Sequence, residues 1–202
     1  METDFIYLAS ASPRRAELLR QLGVEFRVRP AELEEAIRPG ESPAHYVERT
    51  AREKAAVVSG AIAASEAPTA VLGADTVVVA DARVLGKPGG LDAALAMLEL
   101  LSGRTHDVLS AVAVTDGRRT HARVCSSKVR FRATTARERA AYCATPEPFD
   151  KAGAYGIQGF AAAFIEQLEG SYSAVMGLPL FETAELLAPF AQPRWLHAIQ
   201  DR

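Results

Sequence analysis

Short β-rich apolar runs alternate along this chain with longer segments whose apolar residues recur at helical spacing. The runs predict strands at Phe5–Ala9, Phe26–Val28, Thr69–Val79, Val84–Leu85, Val108–Val114, Ala122–Phe131 and Phe160–Leu168. The spaced segments predict helices at Arg14–Leu22, Ser42–Ala64, Leu91–Leu101, Thr134–Cys143 and Leu180–Phe190. Turn residues at Ala80–Ala82 and at Asp116-Gly117 predict two hairpins near the middle. We therefore expect an α/β fold with a mixed twisted sheet and flanking helices.

Length and composition limit the classes of protein that this chain can belong to. Its 202 residues, 49% hydrophobic, are enough for one domain over residues 1–190, followed by a tail at 191–202. A net charge of −2 argues against a nucleic-acid partner, and no apolar run is long enough to predict a membrane span or a secretory signal. The two cysteines, Cys125 and Cys143, lack disulfide or zinc spacing, which favours reduced thiols in the cytoplasm.

Hydroxyl and guanidinium groups gather where the first strand leads into the first helix. Ser10 and Ser12 precede Pro13, and Arg14 and Arg15 follow it. A helix N-terminus with nearby arginines is suited to anion binding. The same residues also fit a serine-capped helix whose arginines face water, and spacing alone leaves both interpretations open.

A carboxylate interrupts the most apolar strand, where Asp75 follows Gly73-Ala74 and precedes Thr76-Val77. An unpaired charge there would be costly to bury. Asp75 could bind a divalent metal or act as a general base on water. The alternative is a structural carboxylate paired with an arginine or with backbone N–H groups.

The densest group of functional residues lies at Asp150–Gly159, which contains three glycines, Lys151, Tyr155 and Gln158. Such a loop allows close ligand approach, and the Gln158 amide offers a donor and an acceptor to a base edge. Lys87, in a Gly-Lys-Pro turn, could neutralise a phosphate. His106, next to a strand, is more typical of a structural histidine.

Taken together, seven ordered motifs resemble those of the Maf family of nucleoside triphosphate pyrophosphatases. The resemblance extends from Leu8 to about Phe190. The motifs are Leu8-Ala9-Ser10-Ala11-Ser12-Pro13-Arg14-Arg15, Arg52-Glu53-Lys54-Ala55, Gly73-Ala74-Asp75-Thr76-Val77, Gly86-Lys87-Pro88, Ser102-Gly103-Arg104-Thr105-His106, Asp150–Gly159 and Gly177-Leu178-Pro179-Leu180. The resemblance implies a two-lobed fold around a central cleft, similar to that of inosine triphosphate pyrophosphatases.

The resemblance also implies roles for particular residues. Asp75 matches the catalytic proton acceptor of the family. The residues matching positions that surround the substrate are Ser10, Arg14, Arg15, Lys54, Thr76, Lys87, Lys151 and Gln158. Three of the four lysines fall in these motifs, whereas the other 19 of the 23 basic residues are arginines.

With Arg14, Thr76 and Gln158 at these positions, the chain resembles the branch of the family that acts on dTTP and UTP. The resemblance implies hydrolysis of dTTP, UTP and modified pyrimidine nucleotides to the nucleoside monophosphate and pyrophosphate. It also implies a divalent cation, Mg²⁺ or Mn²⁺, and a homodimer. Glu34 and Glu35 are further candidate metal ligands. Two alternative functions are a pyrophosphatase for modified purine nucleotides such as 7-methyl-GTP and a nucleotide-binding regulator of cell division or septum formation.

Overall fold

Seven strands form one mixed sheet in the computed structural model, which describes residues 5–63 and 70–190. The strands are β1 (Ile6–Leu8), β2 (Phe26–Val28), β3 (Val71–Ala80), β4 (Arg83–Leu85), β5 (Thr105–Thr115), β6 (Thr120–Phe131) and β7 (Ile165–Glu169). The order across the sheet is β2-β1-β3-β5-β6-β7, with β4 paired to β3. β1 pairs in parallel with β2 and β3, whereas β3 with β4 and β6 with β7 are antiparallel. The predicted mixed α/β fold is confirmed.

Six α-helices connect or flank the strands. They are α1 (Pro13–Gln21), α2 (Pro43–Ala63), α3 (Leu91–Leu101), α4 (Ala136–Cys143), α5 (Tyr172–Met176) and α6 (Leu180–Leu187). Ser12 caps α1 through a bond from the Arg15 N–H, and Thr135 forms a capping box with Glu138 at the start of α4. None of the described helices is long and apolar enough to cross a membrane.

The chain divides into two compact units. The first contains residues 1–75, 110–125 and 177–202, and the second contains residues 76–109 and 126–176. In the first unit, buried side chains include Leu8, Leu18, Val47, Leu72 and Leu187. The second unit has its own core, in which residues from α3 and α4 meet β6 around the fully buried ring of Phe131.

The structure differs from the predicted elements in two places. Residues Phe160–Phe164, predicted as the start of a strand, form a 3-10 helix, and β7 begins only at Ile165. The run Phe-Ala-Ala-Ala-Phe has no alternation of apolar and polar residues, so its pattern does not separate strand from helix. Helix α5 (Tyr172–Met176) is not among the predicted helices. Three predictions fall on residues that the structure does not describe. They are the end of the second helix at Ala64, the start of the third strand at Thr69 and the tail at 191–202.

Helix α2 lies unusually close to strand β3 at Gly73. A Cβ atom on Gly73 would clash with the carbonyl oxygen of Ala51 and would lie 2.8 Å from the backbone nitrogen of Ala55. Both neighbours are backbone atoms of a regular helix and cannot rotate away. Only glycine therefore permits this packing distance.

We predict that Gly73→Ala lowers the free energy of unfolding by ~2 kcal/mol or more, because the added methyl group must push α2 away from β3. Chemical denaturation measures the change. The control is Gly60→Ala in α2, where a Cβ meets nothing within 4 Å, so helix propensity should raise stability by about 0.5–1 kcal/mol. Equal effects of the two substitutions would contradict the packing argument.

Candidate active site

A buried ion pair lies where α2 crosses β3. Gly73 and Asp75 are two residues apart on the strand and therefore share one face, which α2 covers. From α2, the Lys54 ammonium donates to Asp75 Oδ1 at 2.9 Å. Only 7% of Lys54 and 5% of Asp75 is exposed. The structure thus explains the carboxylate within the apolar strand, and its partner is a lysine rather than the arginine or backbone donor considered from the sequence.

The loop before α2 contributes a second carboxylate to the same ammonium. Glu35 Oε1 lies 2.9 Å from Lys54 Nζ, and its side chain is 44% exposed. This loop is fixed to α2 by Arg49, which donates to the Ala36 carbonyl at 2.9 Å and to both carboxylate oxygens of Glu41. Lys54 therefore bridges a buried carboxylate and a partly exposed one.

The Ser10 to Arg15 turn is folded around the Ser10 hydroxyl. Ser10 is buried, and its Oγ accepts from the Ser12 N–H at 3.2 Å and from Arg15 Nη1 at 3.2 Å. Arg15 Nε also donates to the Gly177 carbonyl at 2.8 Å. The Arg15 side chain therefore turns inward, in contrast to the water-facing arginine that was the alternative interpretation. Arg14, next to it, is partly exposed.

Strand register places this turn next to Asp75. Leu8 pairs with Leu72 in parallel, so the chain at Ser10 reaches the level of Ala74, the residue before Asp75 on β3. Burial lowers the pKa of the Arg15 guanidinium, while the negative charges of Asp75 and Glu35 raise it. The first unit therefore gathers five predicted site residues: Ser10, Arg14, Arg15, Lys54 and Asp75.

The other four predicted site residues belong to the second unit. Lys151 Nζ donates to the Glu147 carbonyl at 2.7 Å and to Asp150 Oδ1 at 2.6 Å, so it is tied to its own loop. Lys87 and Gln158 are exposed, and Thr76 is partly buried. The roles of these four in substrate binding stay predictions.

His106 is a structural residue, as the sequence indicated. It is 3% exposed, its Nε2 lies 2.8 Å from the Tyr155 hydroxyl, and its ring meets Phe131 edge to face. Burial lowers its pKa to about 4, so the ring is neutral at neutral pH. This pair attaches the Asp150–Gly159 loop to β5 through Tyr155.

Glu147 was missed by the sequence reasoning. Its carboxylate accepts hydrogen bonds from the Tyr142 hydroxyl and from the Phe160 N–H, both at 2.9 Å. The only signal in the sequence is its position three residues before Asp150, at the edge of the glycine-rich loop. Neither distant partner could be read from that position.

No group of three or more His, Cys, Asp or Glu side chains suited to a metal ion occurs within residues 5–63 and 70–190. Asp75 and Glu35 nevertheless converge on one Lys54 nitrogen, so two carboxylates lie close together. Mg²⁺ is commonly bound by one or two carboxylates together with substrate phosphates. The residues present therefore fit a divalent cation that arrives with a phosphate ligand.

Comparisons with known proteins find similar sequences along nearly the whole chain. Residues 5–190 match the model of the family described as Maf-like protein. A protein named dTTP/UTP pyrophosphatase from Aromatoleum aromaticum is 52% identical over 198 residues, covering 93% of this chain and 96% of its own. Proteins of the same name from Xanthomonas campestris pv. campestris and Hahella chejuensis are 50% and 48% identical, covering 92% and 94% of this chain and 98% and 94% of their own.

We predict that Lys54→Met lowers the free energy of unfolding by ~3 kcal/mol, because Asp75 would be left buried without its counter-charge. Denaturant unfolding measures the loss. In the double variant Lys54→Met/Asp75→Asn most of that loss should be recovered, since no uncompensated charge remains. Lys128→Met, at an exposed position of β6, is the control and should change stability by no more than ~0.5 kcal/mol. Equal losses in the single and double Lys54 variants would contradict the ion-pair argument.

Proposed function

This chain belongs to the Maf-like protein family, and on that premise we propose that it is a nucleoside triphosphate pyrophosphatase acting on dTTP and UTP. The products are the nucleoside monophosphate and pyrophosphate. The observation that carries the proposal is the buried Lys54–Asp75 pair, held at 2.9 Å beside the Ser10 to Arg15 turn. A general base next to an anion-binding turn suits the hydrolysis of a phosphoanhydride bond by water.

In the proposed reaction, the Asp75 carboxylate accepts a proton from a water molecule as the water oxygen attacks the α-phosphorus. A new phosphorus–oxygen bond forms on the α-phosphorus, and the bond to the oxygen bridging the α- and β-phosphorus atoms breaks. Pyrophosphate carries away the electron pair of the broken bond. Lys54 holds Asp75 in place, while Arg14 offers a guanidinium fork to the phosphate oxygens.

Asp75 and Glu35 are the residues that would hold a divalent cation, Mg²⁺ or Mn²⁺, together with the phosphates of the substrate. When bound, the cation neutralises charge on the transferred and departing phosphate groups. Lys54, within 2.9 Å of both carboxylates, keeps them together.

Selection among bases is proposed for Thr76 and Gln158. The O4 and N3 positions of thymine and uracil present an acceptor and a donor, and the Gln158 amide presents the complementary donor and acceptor. Cytosine inverts this pattern, so its base would leave the amide unpaired. The relatives named dTTP/UTP pyrophosphatase support this preference. The proposed location is the cytoplasm, because Cys125 and Cys143 lack the spacing of a disulfide framework or a structural zinc site.

We predict that Asp75→Asn lowers kcat for pyrophosphate release from dTTP by at least about 10³-fold, since the amide cannot accept the proton. Steady-state release of pyrophosphate with Mg²⁺ measures the rate, and circular dichroism checks the fold. The matched control is Asp81→Asn, an exposed carboxylate paired with Arg104 on the surface of the second unit, which should keep the wild-type rate. A near wild-type rate in Asp75→Asn would exclude the assigned role. Nucleotide binding by the wild type without pyrophosphate release would favour the regulatory function instead.

We predict that Gln158→Ala lowers the ratio of kcat/KM for dTTP to kcat/KM for CTP by about tenfold, because the exposed amide contributes to base choice rather than to packing. The melting temperature should stay within a few degrees of wild type. A panel of dTTP, UTP, CTP, GTP and 7-methyl-GTP gives the ratios. An unchanged ratio with lowered rates on every nucleotide would mean that Gln158 binds all nucleotides alike and does not select the base. A preference of the wild type for 7-methyl-GTP would instead favour a pyrophosphatase for modified purine nucleotides.

A further inference from the structure

The Glu147 carboxylate is bonded to the backbone that directly follows the turn carrying Gln158. Its Oε2 accepts from the Phe160 N–H at 2.9 Å, and its Oε1 lies 3.4 Å from the Ala161 nitrogen. Gly159 N–H donates to the Gly156 carbonyl at 3.2 Å and closes a tight turn around residues 157 and 158. Glu147 therefore fixes the backbone immediately after Gln158.

The carboxylate is itself held by a buried residue of α4. The Tyr142 hydroxyl donates to Glu147 Oε1 at 2.9 Å, and the Tyr142 ring, 4% exposed, packs edge to face on Phe164. Lys151 Nζ donates to the Glu147 carbonyl, which fixes the backbone at the same residue. The Glu147 carboxylate thus links α4 to the turn that carries Gln158.

Two glycines of the turn lie directly against side chains of the same loop. A Cβ on Gly159 would overlap the Glu147 carboxylate, and a Cβ on Gly156 would lie 2.6 Å from Lys151 Cε. The turn is pressed directly against the side chains of Glu147 and Lys151. Few alternative positions are open to the Gln158 backbone while these contacts hold.

We propose that Glu147 is a positioning residue for base selection, which acts by holding the Gln158 amide in register with the base edge of the nucleotide. The inference rests on the proposed function, because Gln158 must contact the base. Glu147 makes no contribution to the chemical step, since its carboxylate is occupied by Tyr142 and by the turn backbone. Its loss should change which base is accepted more than how fast a phosphate is cleaved.

The loop has a second attachment at Tyr155, but that residue is a poor probe. Tyr155 is 5% exposed and packs on Phe131 and His106 in the core of the second unit, so its removal would lower stability directly. Glu147 is only partly buried and lies at the edge of that core. Substitution at Glu147 therefore separates the position of the turn from the stability of the unit.

The test compares Glu147→Ala and Glu147→Gln with wild type by the ratio of kcat/KM for dTTP to that for CTP. Glu147→Ala should lower this ratio by about tenfold, as Gln158→Ala does, with kcat on dTTP falling less than threefold. Glu147→Gln should restore most of the ratio, because its oxygen can accept from the Phe160 N–H while its amide donates to the Tyr142 hydroxyl. The control is Glu166→Ala, an exposed carboxylate paired with Arg130, which should leave the ratio unchanged.

A double variant shows whether Glu147 acts through Gln158. In Glu147→Ala/Gln158→Ala the ratio should equal that of Gln158→Ala alone, whereas independent roles would multiply the two effects. Two results would overturn the inference without touching the proposed pyrophosphatase function. One is a wild-type ratio in folded Glu147→Ala, and the other is a double variant whose loss of ratio is the product of the two single losses. If Glu147→Ala does not fold, Glu147→Asp takes its place in the single and double variants, because its shorter carboxylate reaches the Phe160 N–H less well. The same outcomes then support or overturn the inference. A wild type that releases no pyrophosphate from any nucleotide removes the proposed function and this inference together.

Discussion

The close approach of α2 to β3 at Gly73 is the contact on which the candidate site depends. Because the strand has no side chain at that position, the helix backbone can lie against it, and Lys54 reaches the carboxylate of Asp75. A wider separation would leave the charge of Asp75 buried without a partner, at a cost of several kcal/mol. The same helix fixes the loop of Glu35 through Arg49. The close packing of α2 on β3 and the pairing of Lys54 with Asp75 therefore depend on each other.

A buried lysine–aspartate pair is a weak source of stability, because both ions lose their hydration. An apolar pair of the same volume would hold α2 on β3 equally well, so stability alone does not account for these residues. A phosphate-hydrolysing site does account for them, since it needs a fixed base and a cation in one place. The second acceptor on Lys54, the partly exposed Glu35, extends the pair toward solvent, where a charged substrate can reach it.

The sequence predicts elements well where local chemistry determines them. Ser12 before Pro13 and Thr135 before Glu138 are capping signals, and the structure has helices starting at both places. Phe160–Phe164 lacks any periodic signal, and its 3-10 conformation depends on the Glu147 carboxylate accepting from its first N–H groups. The Lys54–Asp75 pair joins residues 21 positions apart, and no local pattern encodes such a partner. From the residues alone Asp75 is an unexplained carboxylate in an apolar strand, and only the resemblance to a known family gives it a role.

In the Asp150–Gly159 loop, the exposed residue proposed to select the base depends on buried ones. Ala154 adopts a positive φ of 59°, which a residue with a side chain reaches only at a cost of ~1 kcal/mol or more. Gly153, before it, lies so close to Val78 that a Cβ would be 2.9 Å from a methyl carbon. Because this strained geometry is fixed by the core, Gln158 needs no contacts of its own to be positioned. If Gln158 has the proposed role, substitutions in the core alter base choice without touching the nucleotide, and substitutions at Gln158 alter it without affecting the fold.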